Sequence, residues 1–118
     1  MRLLLSESEI KKRVKELADT ISKDYRDKTP IFIGILNGCY VFMADLLREL
    51  SIGVEVDFVK IRSYDGESST GTIKFRKDIS ADIDDRHIVV VEDIIDSGFT
   101  INFLVNRLRE SGPKSVSV

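Results

Sequence analysis

Three acidic residues and three small polar ones fall within nine positions of this 118-residue chain: Glu92, Asp93, Asp96, Ser97, Gly98 and Thr100. They follow the run Val89-Val90-Val91, and Ile101, Leu104, Val105 and Leu108 come next at helical spacing. The pattern reads as a buried strand, a turn and the start of a helix. In open α/β sheets, ligands bind beyond the carboxyl ends of the strands. The free amides of such a turn and of the helix start favour an anion. Ser97 and Thr100 add hydroxyls, and Gly98 permits close backbone approach. The segment is suited to cradle a phosphate monoester.

The carboxylates need a separate reason. Acids facing a phosphate repel it unless something lies between, and either Mg²⁺ or ribose hydroxyls would serve. Acids also gather at ordinary helix N-termini, where they complement the dipole. A valine run, an acidic pair, Ile94-Ile95, a third acid and Ser97-Gly98-x-Thr100 together are more specific than a cap requires.

The elements that must position this segment are legible upstream. Ser6 to Glu9 has capping-box spacing. Ile10, Val14, Leu17, Ile21 and Tyr25 then give one apolar helical face, broken at Asp27 to Pro30. Ile31 to Leu36 reads as a buried strand, Asn37-Gly38 as a turn, and Val41 to Leu50 as a second helix. Val54 to Ile61 reads as a strand whose register slips near Phe58. Ser63 to Gly71 is polar and reads as a mobile loop. Thr72 to Phe75 would be the return arm of a long hairpin. His87 to Val91 is a strand buried on both faces. The third helix stops at Ser111-Gly112-Pro113, and Ser115 to Val118 begins another strand. Strands alternating with helices predict an α/β fold with a mainly parallel sheet, as one domain over residues 1–118. A sheet ending at Val118 would leave an uncovered edge, so the sequence reads as truncated at its C-terminus.

Composition narrows the function classes. A formal net charge of -2 points away from a nucleic-acid surface. The apolar runs are too short to span a bilayer, and Met1 to Leu5 does not read as a signal peptide. The single cysteine, Cys39, cannot form an internal disulfide, as in a reducing, cytoplasmic compartment; it reads as a small packing residue. His87, with no metal partner in sight, reads as structural or surface. Lys74, Arg76 and Lys77 read as a solvated hairpin face.

Val89 to Thr100 resembles the ribose-phosphate signature of the type I phosphoribosyltransferases, and its Glu92-Asp93-Ile94-Ile95-Asp96 form resembles the hypoxanthine-guanine branch. Ile35-Leu36-Asn37-Gly38-Cys39 is similar to that family's pyrophosphate loop. Arg62-Ser63-Tyr64 followed by Ser69-Thr70-Gly71 is similar to its lid.

The resemblance implies a parallel sheet flanked by helices. It also implies an enzyme, a pentosyltransferase of purine salvage, moving the 5-phosphoribosyl group of phosphoribosyl pyrophosphate onto hypoxanthine or guanine to give IMP or GMP. By resemblance, Glu92 and Asp93 hold the ribose hydroxyls with Mg²⁺ close by, and Asp96 is the general base. Ser97, Gly98, Phe99 and Thr100 bind the 5′-phosphate. Leu36, Asn37 and Gly38 bind pyrophosphate, and Ser63 and Tyr64 cover the site. A homodimer or homotetramer is implied, and so is a further C-terminal segment that recognises the 6-oxopurine. Two positions depart from the pattern: Asn37 stands where the family usually has lysine, and Ser97 where it has threonine. The competing function is a regulatory module, or an inactive fragment, that binds nucleotides or phosphoribosyl pyrophosphate without turnover.

Overall fold

The computed structural model describes residues 6–36, 38–64, 72–92 and 99–118; at 62–64, 72–76, 99 and 100 it describes the backbone alone. Helix α1 (Glu7–Asp24) starts at Ser6, whose Oγ accepts the Glu9 amide at 3.2 Å. The Glu9 carboxylate accepts from the Ser6 hydroxyl at 3.1 Å, so the predicted box closes side chain to side chain. A cap of this kind is worth about 1 kcal/mol. The helix stops where Asp27 and Thr29 take positive φ, ahead of Pro30.

Of the predicted apolar face of α1, Val14, Ile21 and Tyr25 pack against the core, but the other two do not. Ile10 is 49% and Leu17 42% exposed, whereas Ala18 and Ser22 are buried. The large apolar residues mark the side of the helix, but its closest approach is made on small ones. Ser22 Oγ also accepts the Ser51 amide at 3.1 Å, joining α1 to the loop after the second helix.

The strands are β1 (Ile31–Leu36), β2 (Glu55–Tyr64), β3 (Thr72–Lys77), β4 (His87–Val91) and β5 (Ser115–Ser117), and the other helices are α2 (Tyr40–Glu49) and α3 (Phe99–Arg109). Among the described residues they form one five-stranded sheet ordered β3-β2-β1-β4-β5. All neighbours are parallel except β2 and β3. The predicted α/β class, with a mainly parallel sheet flanked by helices, is the fold observed.

Strand alternation divides the core into two layers. Ile31, Ile33 and Ile35 of β1, Val59 of β2 and Ile88 and Val90 of β4 pack with Leu104 and Leu108 of α3. Phe32, Val89 and Val91 pack on the other face with Met43 and Leu46 of α2 and Ala18 of α1. Cys39 is fully buried in this second layer, a packing residue as predicted. Gly34 points the same way. A Cβ there would lie 2.7 Å from Met43 Sδ and 2.8 Å from Cys39 Sγ, so glycine lets α2 seat on β1.

Two covered faces also correct the reading of β2. Phe58 packs in one layer and Val59 in the other, without a slip between them. The irregularity lies in pairing, between Lys60 and Ile61: Lys60 faces Lys77 and Ile61 faces Phe75, with Arg76 the extra residue. Ser63 and Tyr64, expected in a loop, are the last residues of β2, paired with Ile73 and Thr72. The segment between β3 and β4, left without an element by the sequence, carries Ile79, Ala81 and the buried Ile83 into the α3-side layer.

Candidate functional site

The connections define where a ligand would sit. From β1 the chain passes through α2 to β2 on one side, while β4 pairs with β1 on the other and continues through α3 to β5. The strand order therefore reverses between β1 and β4, and α2 and α3 cover opposite faces. A reversal of this kind opens a crevice at the carboxyl ends of the two strands.

Each strand end carries a predicted site segment. Leu36 closes β1, and Gly38 lies in the turn before α2. The Cys39 amide reaches back to the Ile35 carbonyl at 3.4 Å, and α2 begins with no side-chain cap. A helix start without a cap leaves amides for solvent or ligand. Val91, paired with Gly34, closes β4. Glu92 follows it, half-buried, at the mouth of the crevice. Phe99 and Thr100 are the first two residues of α3. Asn37, Asp93, Asp96, Ser97 and Gly98 lie outside the described residues.

The hairpin stands beside this crevice. Leu36 pairs with Lys60, and β2 runs on to Tyr64, roughly 13 Å further at ~3.3 Å per residue. Ser63 and Tyr64 thus lie beyond the level at which β1 stops.

Several residues acquire roles that their types did not reveal. Asp57, on β2, is only 9% exposed. Its Oδ2 accepts the amides of Ser80 at 2.6 Å and Ala81 at 2.9 Å, and its Oδ1 accepts the Phe58 amide at 2.8 Å and lies 3.3 Å from Lys77 Nζ. Burial pushes this carboxyl up, but the Ala81, Ser80 and Phe58 amides and the Lys77 ammonium outweigh it and hold Asp57 below the usual carboxylate range. Lys77 is correspondingly not a freely solvated cation, as the sequence had implied. Its ammonium donates to the Phe58 carbonyl at 2.8 Å and the Asp78 carbonyl at 3.2 Å. The one available signal was an aspartate inside the otherwise apolar run Val56-Asp57-Phe58-Val59.

His87 is structural, as read. Its Nδ1 lies 2.7 Å from Ser115 Oγ, and Tyr25 packs edge-on against its ring with centroids 6.0 Å apart.

Magnesium fits this setting by the chemistry of its donors. Mg²⁺ keeps much of its water and takes one or two carboxylates plus substrate phosphates. Among the described residues no group of three or more His, Cys, Asp or Glu side chains forms a cage. Glu92, half-buried just after β4, is one carboxylate of the kind such an ion would use. Among the described residues, no helix is long and apolar enough to cross a membrane.

A parallel sheet wound in both directions, with an acid and two helix starts at its reversal, defines an open α/β protein that takes its ligand at the strand ends. The chain belongs to the phosphoribosyl transferase domain family, whose model matches residues 4–118. It is 40% identical over 118 residues to the hypoxanthine-guanine phosphoribosyltransferase of Bacillus subtilis, covering 99% of this chain and 66% of that protein. It is 41% identical to the hypoxanthine-guanine-xanthine phosphoribosyltransferase of Tritrichomonas foetus, covering 99% of this chain and 64% of that one. In three dimensions it is similar to a hypoxanthine-guanine phosphoribosyltransferase from Bacillus anthracis, with a TM-score of 0.91, 38% identity and coverage of 98% of this chain and 69% of the other. The chain thus spans about two thirds of the length of the curated relatives it matches.

Proposed function

We propose that this chain binds phosphoribosyl pyrophosphate at the β1–β4 reversal and belongs to an enzyme that transfers its 5-phosphoribosyl group to hypoxanthine or guanine, releasing pyrophosphate and forming IMP or GMP. The observation that carries the reading is that β1, ending at Leu36, and β4, ending at Val91 just before Glu92, are adjacent parallel strands, each leading toward a helix start. Family membership and the named relatives support the reaction class.

The roles follow from where charge develops. Breaking the anomeric bond builds positive charge on the sugar and negative charge on the departing pyrophosphate. Glu92 and Asp93 hold the ribose hydroxyls and oppose the first charge. Mg²⁺, held beside these two carboxylates, offsets the second when bound. Leu36, Asn37 and Gly38 offer backbone groups to the pyrophosphate. Ser97, Gly98, Phe99 and Thr100 bind the 5′-phosphate, where the α3 dipole favours it. Asp96 accepts the proton from the purine ring nitrogen. Ser63 and Tyr64 exclude water from the sugar. Residues 1–118 act as one domain in this reading, in a cytoplasmic homodimer or homotetramer. The exposed apolar residues Tyr40 and Val41 on α2 and Ile10 and Leu17 on α1 support an interface between copies.

Titrating the chain with phosphoribosyl pyrophosphate and Mg²⁺ by calorimetry, then assaying IMP and GMP formation with each purine, tests this. Saturable, Mg²⁺-dependent binding is expected. A chain that binds neither phosphoribosyl pyrophosphate nor pyrophosphate ends the reading.

A further inference from the structure

The Asp57 knot continues into a second charged pair. Lys77 and Asp78 are consecutive residues at the end of β3. Lys77 turns to β2, gripping the Asp57 carboxylate and the Phe58 carbonyl. Asp78 turns to α3, where its Oδ2 accepts from Arg107 Nε at 3.1 Å and Nη2 at 2.9 Å. The third arm of Arg107 donates to Ser111 Oγ at 2.9 Å, at the end of that helix. Charges therefore alternate from strand to helix as Asp57, Lys77, Asp78, Arg107.

We propose that these four residues form one positioning device that fixes the β2–β3 hairpin and α3 relative to each other. The apolar layer beneath α3 sets its distance from the sheet, but hydrophobic contact is non-directional. A guanidinium held through two nitrogens adds the directional constraint. Because Lys77 and Asp78 are adjacent in the chain, displacing the end of β3 from β2 moves the anchor of α3. The device thereby keeps the strand end bearing Ser63 and Tyr64 in register with the helix start bearing Phe99 and Thr100. Its consequence for ligand binding rests on the function proposed above, whereas the coupling itself does not.

Amide hydrogen exchange on the full chain tests it, comparing the unmodified protein with Lys77→Met, Arg107→Met, Arg107→Lys and, as a control, Lys15→Met, which removes an exposed pair within α1. Lys77→Met is expected to speed exchange in residues 99–104 of α3, and Arg107→Met to speed it in residues 72–77, each by at least about threefold. Arg107→Lys is expected to restore part of the protection, and the control to change neither region. Changes confined to each variant's own element overturn the proposal, and so does a uniform rise that includes β1. Mg²⁺–phosphoribosyl pyrophosphate titrations of the same proteins separate the two ideas. Weaker binding in Lys77→Met and Arg107→Met extends the coupling to the site. An unmodified chain that does not bind refutes the functional reading and leaves the exchange result to decide the coupling.

Discussion

The Asp57 carboxylate receives the Ser80 amide at 2.6 Å, across 23 residues of sequence. That bond, with those from Ala81 and Phe58, leaves a nearly buried charge compensated mainly by backbone. Asp57→Asn keeps the shape but removes the charge and turns an amide group toward amide donors. A loss of about 1–3 kcal/mol at neutral pH is expected from urea unfolding. The folded pKa of Asp57 is depressed, so its contribution is fully present above the unfolded carboxylate value of ~3.9 and is lost as pH falls through the folded one. The gap in urea midpoint between the two proteins should therefore narrow below about pH 4. A gap that stays constant down to pH 2 would sink this account.

Gly34 is required for close packing rather than for an unusual backbone angle. Gly34→Ala places a methyl within 2.8 Å of both the Met43 and Cys39 sulfur atoms, and overpacking of this kind costs about 1–3 kcal/mol. Adding Cys39→Ala removes one of the two obstructions. The double variant should be more stable than the sum of the single changes predicts, as judged by denaturant midpoints.

Strand β5, paired with β4, is also held through side chains. Tyr25 donates to Ser117 Oγ at 3.0 Å, and His87 meets Ser115 Oγ at 2.7 Å. The contacts join β5 side chains to the end of α1 and to the start of β4. Tyr25→Phe combined with Ser115→Ala should quicken amide exchange in residues 115–117 while leaving β1 unchanged, at a cost of about 1–2 kcal/mol. Equal acceleration in both strands would show that these bonds do not act locally.

What could be read before folding, and what could not, has a physical basis. The boundaries of β1 and β4 were legible because strands covered on both faces leave unbroken apolar runs between turn residues. The start of α1 was legible because Ser6 and Glu9 act within one turn. The segment from Asp78 to Arg86 carried no such mark. Ile79 and Ile83 are separated by Ser80, Ala81 and Asp82, which give no strand or helix period, and Asp57 finds its partners among amides, which every residue possesses. Lys77 looked like one of three hairpin cations because nothing in its neighbourhood of sequence reveals a carboxylate 20 residues earlier. Ser63 and Tyr64 looked like loop because the pairing that makes them strand comes from Ile73 and Thr72, across the polar stretch that suggested the loop.

The proposed roles of Glu92 and Asp96 can be separated by kinetics, since they act at different stages. In the proposed reaction Glu92 would hold the ribose in both ground state and transition state. Glu92→Gln should weaken phosphoribosyl pyrophosphate binding as well as turnover, seen as a raised Kd in titration. Asp96, as the proposed general base, would act only when the purine loses its proton, and general-base catalysis contributes typically about 10²–10⁴-fold. In protein that forms IMP, Asp96→Asn should therefore lower kcat by that order while the phosphoribosyl pyrophosphate Kd stays within about twofold. If Asp96→Asn weakens binding and spares kcat, the third acid of the turn is a ligand-holding group, and the proton must leave by another route.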